Sequence, residues 1–484
     1  MPGISLSAQV AAMVVLTVLT APTAPSATSP APSTATPPST AAPSTTAAPP
    51  VVVLPLPGAV VPSVVAQVLP PLTDAAAPPV PAGVGKALAG LLARPALGRS
   101  VAAEVVDVGT GASLFARGAT RPVAPASATK ILTAAAALAA LGPHTTLPTR
   151  AVVGAGSGEV VLVGGGDVML APGAGDPDAV QGHAGLGDLA DATAAALRAR
   201  GTTSVAVRLD DTLFTGPAVN PAWSRGDVGG GFVAPVMPVE VTVGVTRPGT
   251  PPRPGLPAAR LADPALSAAR QFGTLLAARG VTVTGPVRRA AAPAGAEVLG
   301  EVRSATVADI VEHDLTDSDN TTAEVLARLV AVAAGKPATF AGAGQAVVAR
   351  IGQLGIPVTG ARLAGGSGLG TSTVAPAGTV VRTLALAAAP DHPELRPVLT
   401  GLPVAGASGT LADRFAGAGA VKGAGVVRAK TGTLTGVGSL AGTVVDADGR
   451  LLAFAVVADK VPATEPGRAA LDAVAATLAG CGCR

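Results

Sequence analysis

Aromatic rings are nearly missing from this chain: its 484 residues include no Tyr, one Trp (Trp223) and seven Phe. Whatever it folds into must be packed by small aliphatic side chains, and Ala, Val and Leu dominate an apolar share of 49%. That is material enough for the cores of two or three domains. The same shortage excludes a nucleic-acid binder of the usual kind, because bases would find few rings to stack on and the net charge is only +3. A polytopic membrane protein is excluded as well, since no uncharged stretch of helical character after residue 85 reaches the ~20 residues that a span needs. Cys481 and Cys483 are the only cysteines, so no disulfide framework holds the fold; the pair can close a small loop or stay free.

The first 85 residues are a different material, with Asp74 as their one charged side chain. Val10 to Leu19 is a short apolar run followed by small residues. Over residues 1–27 this fits a signal peptide, cleaved near Ala24 or Ala27, or a short membrane anchor. From Ala21 to Pro50 the sequence is almost wholly Pro, Ala, Ser and Thr, which cannot bury enough apolar surface to offset the entropy of ordering. Residues 28–85 are read as a disordered linker, with the folded part beginning near Lys86; within it 51–85, richer in Val and Leu, either continues the linker or packs along the folded domain.

Beyond the linker, helical and strand patterns alternate. Ala102 to Ala116 reads as two short strands around a Gly109-Thr110-Gly111 turn, Val205 to Asp211 as one strand, and Ser439 to Val457 as two more joined at Asp446 to Gly449. Helical periodicity marks Leu189 to Arg200, Pro264 to Arg279, Asn320 to Ala334 and Glu465 to Leu478. Another helix, rich in Ala, is announced by Pro125 and Ser127 and stopped by Gly142-Pro143. The mixture predicts an α/β or α+β architecture.

Three short constellations carry chemistry. Ser127-Ala128-Thr129-Lys130 puts a hydroxyl and an amine three residues apart, on one face of the first turn of that Ala-rich helix. A serine is a poor nucleophile until a base takes its proton, and a Lys can be that base once burial or a second cation lowers its pKa. Only six of the 33 basic residues are Lys, in a chain that otherwise prefers Arg, and Arg never gives up its proton. Ser318-Asp319-Asn320 precedes another helix; Ser318 can relay a proton and Asn320 offers a donor and an acceptor to an amide. Lys430-Thr431-Gly432-Thr433 reads as a strand with Gly where a backbone must approach another backbone or a ligand, so a substrate peptide could pair along it. Each has a bland alternative: a helix cap and solvated Lys, an N-cap cluster, a turn between strands. Their joint order, with two of the six lysines inside them, outweighs those alternatives.

The order Ser-x-x-Lys, Ser-x-Asn, Lys-Thr-Gly resembles the signature of penicillin-binding proteins and serine β-lactamases. Here 191 residues separate Ser127 from Ser318 and 112 separate Ser318 from Lys430. The long first interval is similar to that of the D-alanyl-D-alanine carboxypeptidase/endopeptidase family, the low-molecular-mass class C (type-4) penicillin-binding proteins. So are the strings VLVGGGDVML at 161–170, DDTLFTGPAVNPAW at 210–223, LTDSDNTTAEVLAR at 315–328, GGSGLG at 365–370 and RAKTGTLTGVGSLAG at 428–442. The resemblance covers roughly 100–478. Two departures stand out: Gly365 occupies a position where the family usually has an acidic residue, and Val236 to Leu266 is too short for the third domain some members carry.

That resemblance implies an α/β (α+β) transpeptidase fold with an inserted second domain. Its catalytic domain would be split into 86–150 and 300–484 around an insertion at 151–299. It implies Ser127 as the acylated nucleophile, Lys130 as its base, and Ser318 with Lys430 as the route of the proton to the leaving D-alanine. Asn320 would hold the peptide amide, Thr431 and Thr433 the terminal carboxylate or backbone, and Gly432 the close approach between them. The backbone N–H groups of Ser127 and Thr433 would form the oxyanion hole. No metal or cofactor is implied, and His144, His183, His313 and His392 show no ligand spacing. Glu324 is read as a hydrogen-bonding partner within its helix. The implied substrates are peptidoglycan stem peptides, with β-lactams as covalent inhibitors. The implied location is the cell envelope outside the cytoplasm, the protein being peripheral or N-terminally anchored at the membrane. Two alternatives stand beside it: a β-lactamase or esterase on the same scaffold, and a non-catalytic penicillin-sensing wall-binding module, which would have no need of a poised base.

Overall fold

The computed structural model describes residues 77–247, 249 and 257–484. The expected export signal at 1–27, and nearly all of the expected linker at 28–85, lie outside the described residues. The linker's expected end is corrected, because a helix already runs Pro81–Leu92. Pro81, read from sequence as linker, occupies the first helical turn, where its fixed φ and missing N–H cost nothing. Val84, Leu88 and Leu92 then recur every four residues and are buried.

That helix packs on a five-stranded sheet with the spatial order Arg428–Leu434, Val437–Val445, Leu451–Asp459, Ser100–Asp107, Ser113–Arg117. Every neighbouring pair is antiparallel. The period of two along each strand sorts side chains between two cores. Along Leu451–Asp459, the side chains of Leu452, Phe454, Val456 and Ala458 join the core beneath helices Pro81–Leu92 and Thr464–Ala479. Ala453, Ala455 and Val457 face the opposite core, with Ala102 and Ala441 from neighbouring strands. The small residues on this second face allow close approach of the helix Ala377–Ala388. The helix Thr129–Leu141, in which every residue from Thr129 to Leu138 is buried, lies behind it, enclosed by helices Ala377–Ala388, Asn320–Ala333 and Phe340–Gln353. This answers the shortage of rings: Ala against Ala brings elements together without large side chains between them.

A second sheet of six strands has its own core. Its order is Arg288–Arg289, Ser204–Asp210, Glu159–Gly164, Thr146–Val153, Val298–Thr306, with Thr282–Val283 also paired to Ser204–Asp210. Helices Leu186–Ala199 and Pro264–Ala278 lie against it through Leu189, Ala190, Ala268 and Phe272, which meet Leu162, Val205, Val207 and Leu209. Chain entry and exit are side by side. Thr146–Val153 pairs with Val298–Thr306, the Val307 N–H donates to Thr145 O at 2.8 Å, and that of Ala308 to Pro143 O at 3.0 Å. The stop at Gly142-Pro143 and the capping box of Thr306 with Asp309 mark these two crossings.

Other expected elements lie within a few residues of their sequence bounds. Cys481 and Cys483 are joined in a disulfide. Among the described residues, no helix is long and apolar enough to cross a membrane.

Candidate active site

The serine of the first constellation does not sit inside the α-helix. Ala126–Ala128 forms a single 3₁₀ turn, and the α-helix starts at Thr129. Pro125 precedes the turn, and Ala126 takes a left-handed φ of 49°, a strained conformation for a residue with a Cβ. Two bonds hold it: Ser439 Oγ donates to Pro125 O at 2.6 Å, and Thr129 Oγ1 to Ala126 O at 2.8 Å. Ser127 is thereby presented at the N-terminal end of a buried helix, with Lys130 one turn on.

Lys130 is wholly buried, and its Nζ has three oxygen neighbours: Asn320 Oδ1 at 2.6 Å, Ser367 O at 3.1 Å and Ser127 Oγ at 3.2 Å. Burial pushes the ammonium below its ordinary pKa, while the carboxylates of Asp314, Asp319 and Glu324 oppose the shift. Asn320 opens its helix, with Asp319 as the N-cap accepting from the Thr322 N–H at 2.8 Å. The amide of Asn320 also donates to Phe232 O at 2.9 Å. Asp319 pairs with Arg260 at 3.0 Å, and Arg260 in turn donates to Gly231 O and Val243 O. The N-cap reading of the second constellation thus holds for Asp319, while Asn320 accepts from the Lys130 amine.

Ser318 ends the preceding helix in a left-handed conformation, φ 62°, with its N–H on Asp314 O at 2.8 Å. It lines the cleft. Among the described residues no hydrogen bond joins its side chain to Lys130 or Lys430. Lys430 is also wholly buried and donates to Thr431 O at 3.1 Å. Burial, reinforced by the charge of Lys130, pushes Lys430 down to about 7, with Asp314 pulling the other way.

The third constellation lies on the edge strand Arg428–Leu434. The Ala429 N–H points outward to Pro403 O at 2.9 Å, so strand alternation turns those of Thr431 and Thr433 to the same open edge. Gly432 faces the serine's turn, where an added Cβ would lie 2.8 Å from Pro125 O and 3.0 Å from Ala126 Cβ. Thr431 Oγ1 donates to Thr410 Oγ1 at 2.8 Å. Ser127, Ser318, Asn320, Thr431 and Thr433 all line one cleft of about 750 Å³, walled by Phe232, Leu369, residues 409–417 and the start of the C-terminal helix.

Several groups at this site escaped sequence reasoning. Glu324, read as a partner within its helix, instead accepts from Gly366 N, Ser367 N and Ser367 Oγ. The GGSGLG string was the available signal, but the acceptors Ser367 O and Phe232 O are main-chain atoms that any residue would carry. Asp314 is buried, and among the described residues neither carboxylate oxygen has a hydrogen-bond partner. Burial pushes its carboxyl up to about 7 against the pull of Lys130 and Lys430.

A serine in contact with a buried amine, beneath a sheet edge that offers N–H groups to an extended peptide, is the layout of an acyl-transferring serine hydrolase. Comparison with known proteins narrows the class. The pattern that defines the D-Ala-D-Ala carboxypeptidase 3 (S13) family matches residues 84–259 and 256–478, and the chain belongs to that family. It is 40% identical to a carboxypeptidase of Mycobacterium tuberculosis over 433 residues, 89% of this chain and 90% of that protein. It is 39% identical to the carboxypeptidase DacB of Mycolicibacterium smegmatis over 414 residues, 85% of this chain and 87% of that protein. In fold it matches the crystal structure of penicillin-binding protein 4 (dacB) from Haemophilus influenzae, with a TM-score of 0.65 and 21% identity, covering 82% of this chain and 98% of that one. The α/β (α+β) transpeptidase fold with a second sheet inserted is thereby shown.

Proposed function

We propose that this S13-family enzyme is a serine-type D-Ala-D-Ala carboxypeptidase and peptidoglycan DD-endopeptidase that works through an acyl-enzyme on Ser127. The observation that carries the residue assignment is the contact of buried Lys130 with both Ser127 and Asn320 beneath the edge strand. Neutral Lys130 takes the Ser127 hydroxyl proton as Oγ attacks the carbonyl carbon of the terminal D-Ala-D-Ala bond. The resulting oxyanion is held by the N–H groups of Ser127 and Thr433, each contributing about 3–4 kcal/mol, as in comparable sites. The C–N bond then breaks, and the leaving amine takes a proton by way of Ser318 and Lys430. Water hydrolyses the ester and returns Ser127 to its starting form.

One N–H of the Asn320 amide is engaged by Phe232 O, which leaves the other for a substrate carbonyl. Thr431 and Thr433 bind the terminal carboxylate or pair with the peptide backbone, and Gly432 lets the edge strand close on the nucleophile. We read the layout as a catalytic domain split into 81–150 and 300–484 about an inserted domain at 151–299. The reading extends to action outside the cytoplasm on peptidoglycan stem peptides, with β-lactams as covalent inhibitors and peripheral or N-terminal attachment at the membrane. The Haemophilus influenzae structure, also known in complex with a β-lactam, supports the inhibitor class.

The test is incubation of the full chain with a fluorescent penicillin beside a Ser127→Ala variant, followed by assay of D-alanine release from a stem pentapeptide. A stable adduct on the parent alone, together with D-alanine release, is the expected result. An unlabelled parent that leaves penicillin intact would overturn the reading, and penicillin destroyed without a lasting adduct would move it to the β-lactamase.

A further inference from the structure

We propose that Glu324 is a positioning residue for the base: acting through Ser367, it fixes the direction in which the Lys130 lone pair points at Ser127. The proposal rests on the reading of Ser127 and Lys130 as nucleophile and base, and adds a residue that touches neither substrate nor Ser127.

The argument begins with the valence of the amine. A neutral Lys amine has two N–H donors and one lone pair. Lys130 Nζ has three oxygen neighbours, and two of them, Asn320 Oδ1 and Ser367 O, can only accept. Those two consume both N–H groups, so the lone pair is left for the third neighbour, the Ser127 hydroxyl at 3.2 Å, which alone can donate. Remove either acceptor and the amine can rotate an N–H onto Ser127 Oγ, a useless orientation for a base. Asn320 is held on the other side by Phe232 O. Ser367 O has to be held by something else.

That something is Glu324. Its carboxylate is 1% exposed and accepts from Gly366 N at 2.8 Å, Ser367 N at 3.0 Å and Ser367 Oγ at 2.5 Å. Three donors on two consecutive residues fix the backbone that enters Ser367, and the Leu369 N–H on Ser367 Oγ at 3.1 Å fixes the segment that leaves it, so the direction of Ser367 O is held from both sides. Thr133, one turn after Lys130 on the same helix, donates to Gly366 O at 2.6 Å and ties the segment from the opposite side. The carboxylate occupies space that a side chain at 365 would take: a Cβ on Gly365 would lie 2.5 and 2.7 Å from its two oxygens. Gly365 and Glu324 therefore act as a unit, the one lacking a side chain so that the other can reach the loop.

The charge of Glu324 matters in its own right. The charged groups that face Lys130 are Asp314, Asp319 and Glu324, with Lys430 beyond; Arg328 faces Glu324 from the next turn. Each carboxylate favours the protonated amine, so removing one lowers the pH at which Lys130 becomes neutral.

The experiment compares the full-chain parent with Glu324→Gln and Gly365→Ala, measuring the rate of Ser127 acylation by fluorescent penicillin from pH 5 to 9, with thermal unfolding in parallel. Gln has the shape of Glu but would turn an NH₂ toward one of the donors, breaking the arrangement while filling the space. Acylation should fall about 10²-fold, the effect of misplacing a reacting group by around an ångström, and the acid limb of the profile should move to lower pH. Gly365→Ala should displace the carboxylate and produce a similar fall. A purely structural role would lower the unfolding temperature and leave the acid limb in place. Parental acylation with an unmoved limb in folded Glu324→Gln would overturn the proposal while the acyl-enzyme reading stands. Should Glu324→Gln not fold, parental acylation by Gly365→Ala would overturn it equally. A parent that is not labelled would bring down both.

Discussion

Gly432 and Pro125 meet backbone to backbone: a Cβ on the glycine would lie 2.8 Å from the proline's carbonyl oxygen. This places the edge strand Arg428–Leu434 directly on the 3₁₀ turn that carries Ser127, and the Ser439 hydroxyl bonds to the same carbonyl at 2.6 Å. The distance between the strand's outward N–H groups and the serine is set by this junction. A Cβ at this position would lie 2.2 Å from Ser439 Oγ, so Gly432→Ala displaces the hydroxyl that holds the Pro125 carbonyl and presses strand and turn apart. Acylation by penicillin should fall by up to about 10²-fold, with a smaller effect on thermal unfolding, since the strand keeps its ladder to Val437–Val445 and the turn keeps the Thr129 bond to Ala126 O. Stopped-flow labelling beside a melting curve checks it; parental acylation would show that the junction does not set the geometry.

Lys130→Arg tests whether the base must become neutral. Arg keeps a cation in the site and can still donate to Asn320 and Ser367, but it cannot accept the Ser127 proton. The expected loss of acylation is 10²–10⁴-fold, the usual worth of a general base, at every pH up to 10. Recovery of rate with rising pH in that variant would point to another base.

The two lysines and the glycine stand out in the sequence because the proposed chemistry demands those residue types: a base that cycles its charge, and a position without a Cβ. The edge strand and its neighbours were legible through turns such as Asp446 to Gly449. The acceptors on Lys130 are not legible: the sequence reading gives Asn320 to a substrate amide and not to the lysine, and the other acceptor, Ser367 O, is a main-chain carbonyl that leaves no mark on composition. Pro81 was misread because proline in a Pro-rich stretch and proline at the first turn of a helix look alike until Val84, Leu88 and Leu92 find a core. Asp314 was overlooked for the same reason, its burial being decided by helices far away in sequence.

Lys430 supplies a second pH effect. Its ammonium is pushed down to about 7 by burial and by Lys130. If its charge holds the substrate carboxylate, binding weakens as pH rises through that value. The KM for a stem pentapeptide should therefore climb above pH 7, and more steeply than the KM for a substrate amidated at its C-terminus. Lys430→Arg, which stays charged, should flatten the rise. Equal climbs for both substrates would assign Lys430 to proton transfer alone.

Asp314 permits a prediction about stability whose sign follows from linkage. Burial pushes its carboxyl from the ordinary 3.8 up to about 7 in the folded state, and among the described residues neither oxygen has a hydrogen-bond partner. Between those values the folded state holds a proton that the unfolded state has released, so the carboxyl's contribution is fully present below about 4 and is lost as pH rises to about 7. Asn has no proton to lose. The unfolding temperature of Asp314→Asn relative to the parent should therefore rise between pH 4 and pH 8. The neighbouring lysines act in the same direction: without Asp314 they hold their protons less firmly in the folded state, which steepens the gain with pH. Thermal or denaturant unfolding at pH 4.5, 6 and 8 checks it, and a difference that stays constant would mean that Asp314 is ionised in the folded protein throughout, with Lys130 and Lys430 as its true partners.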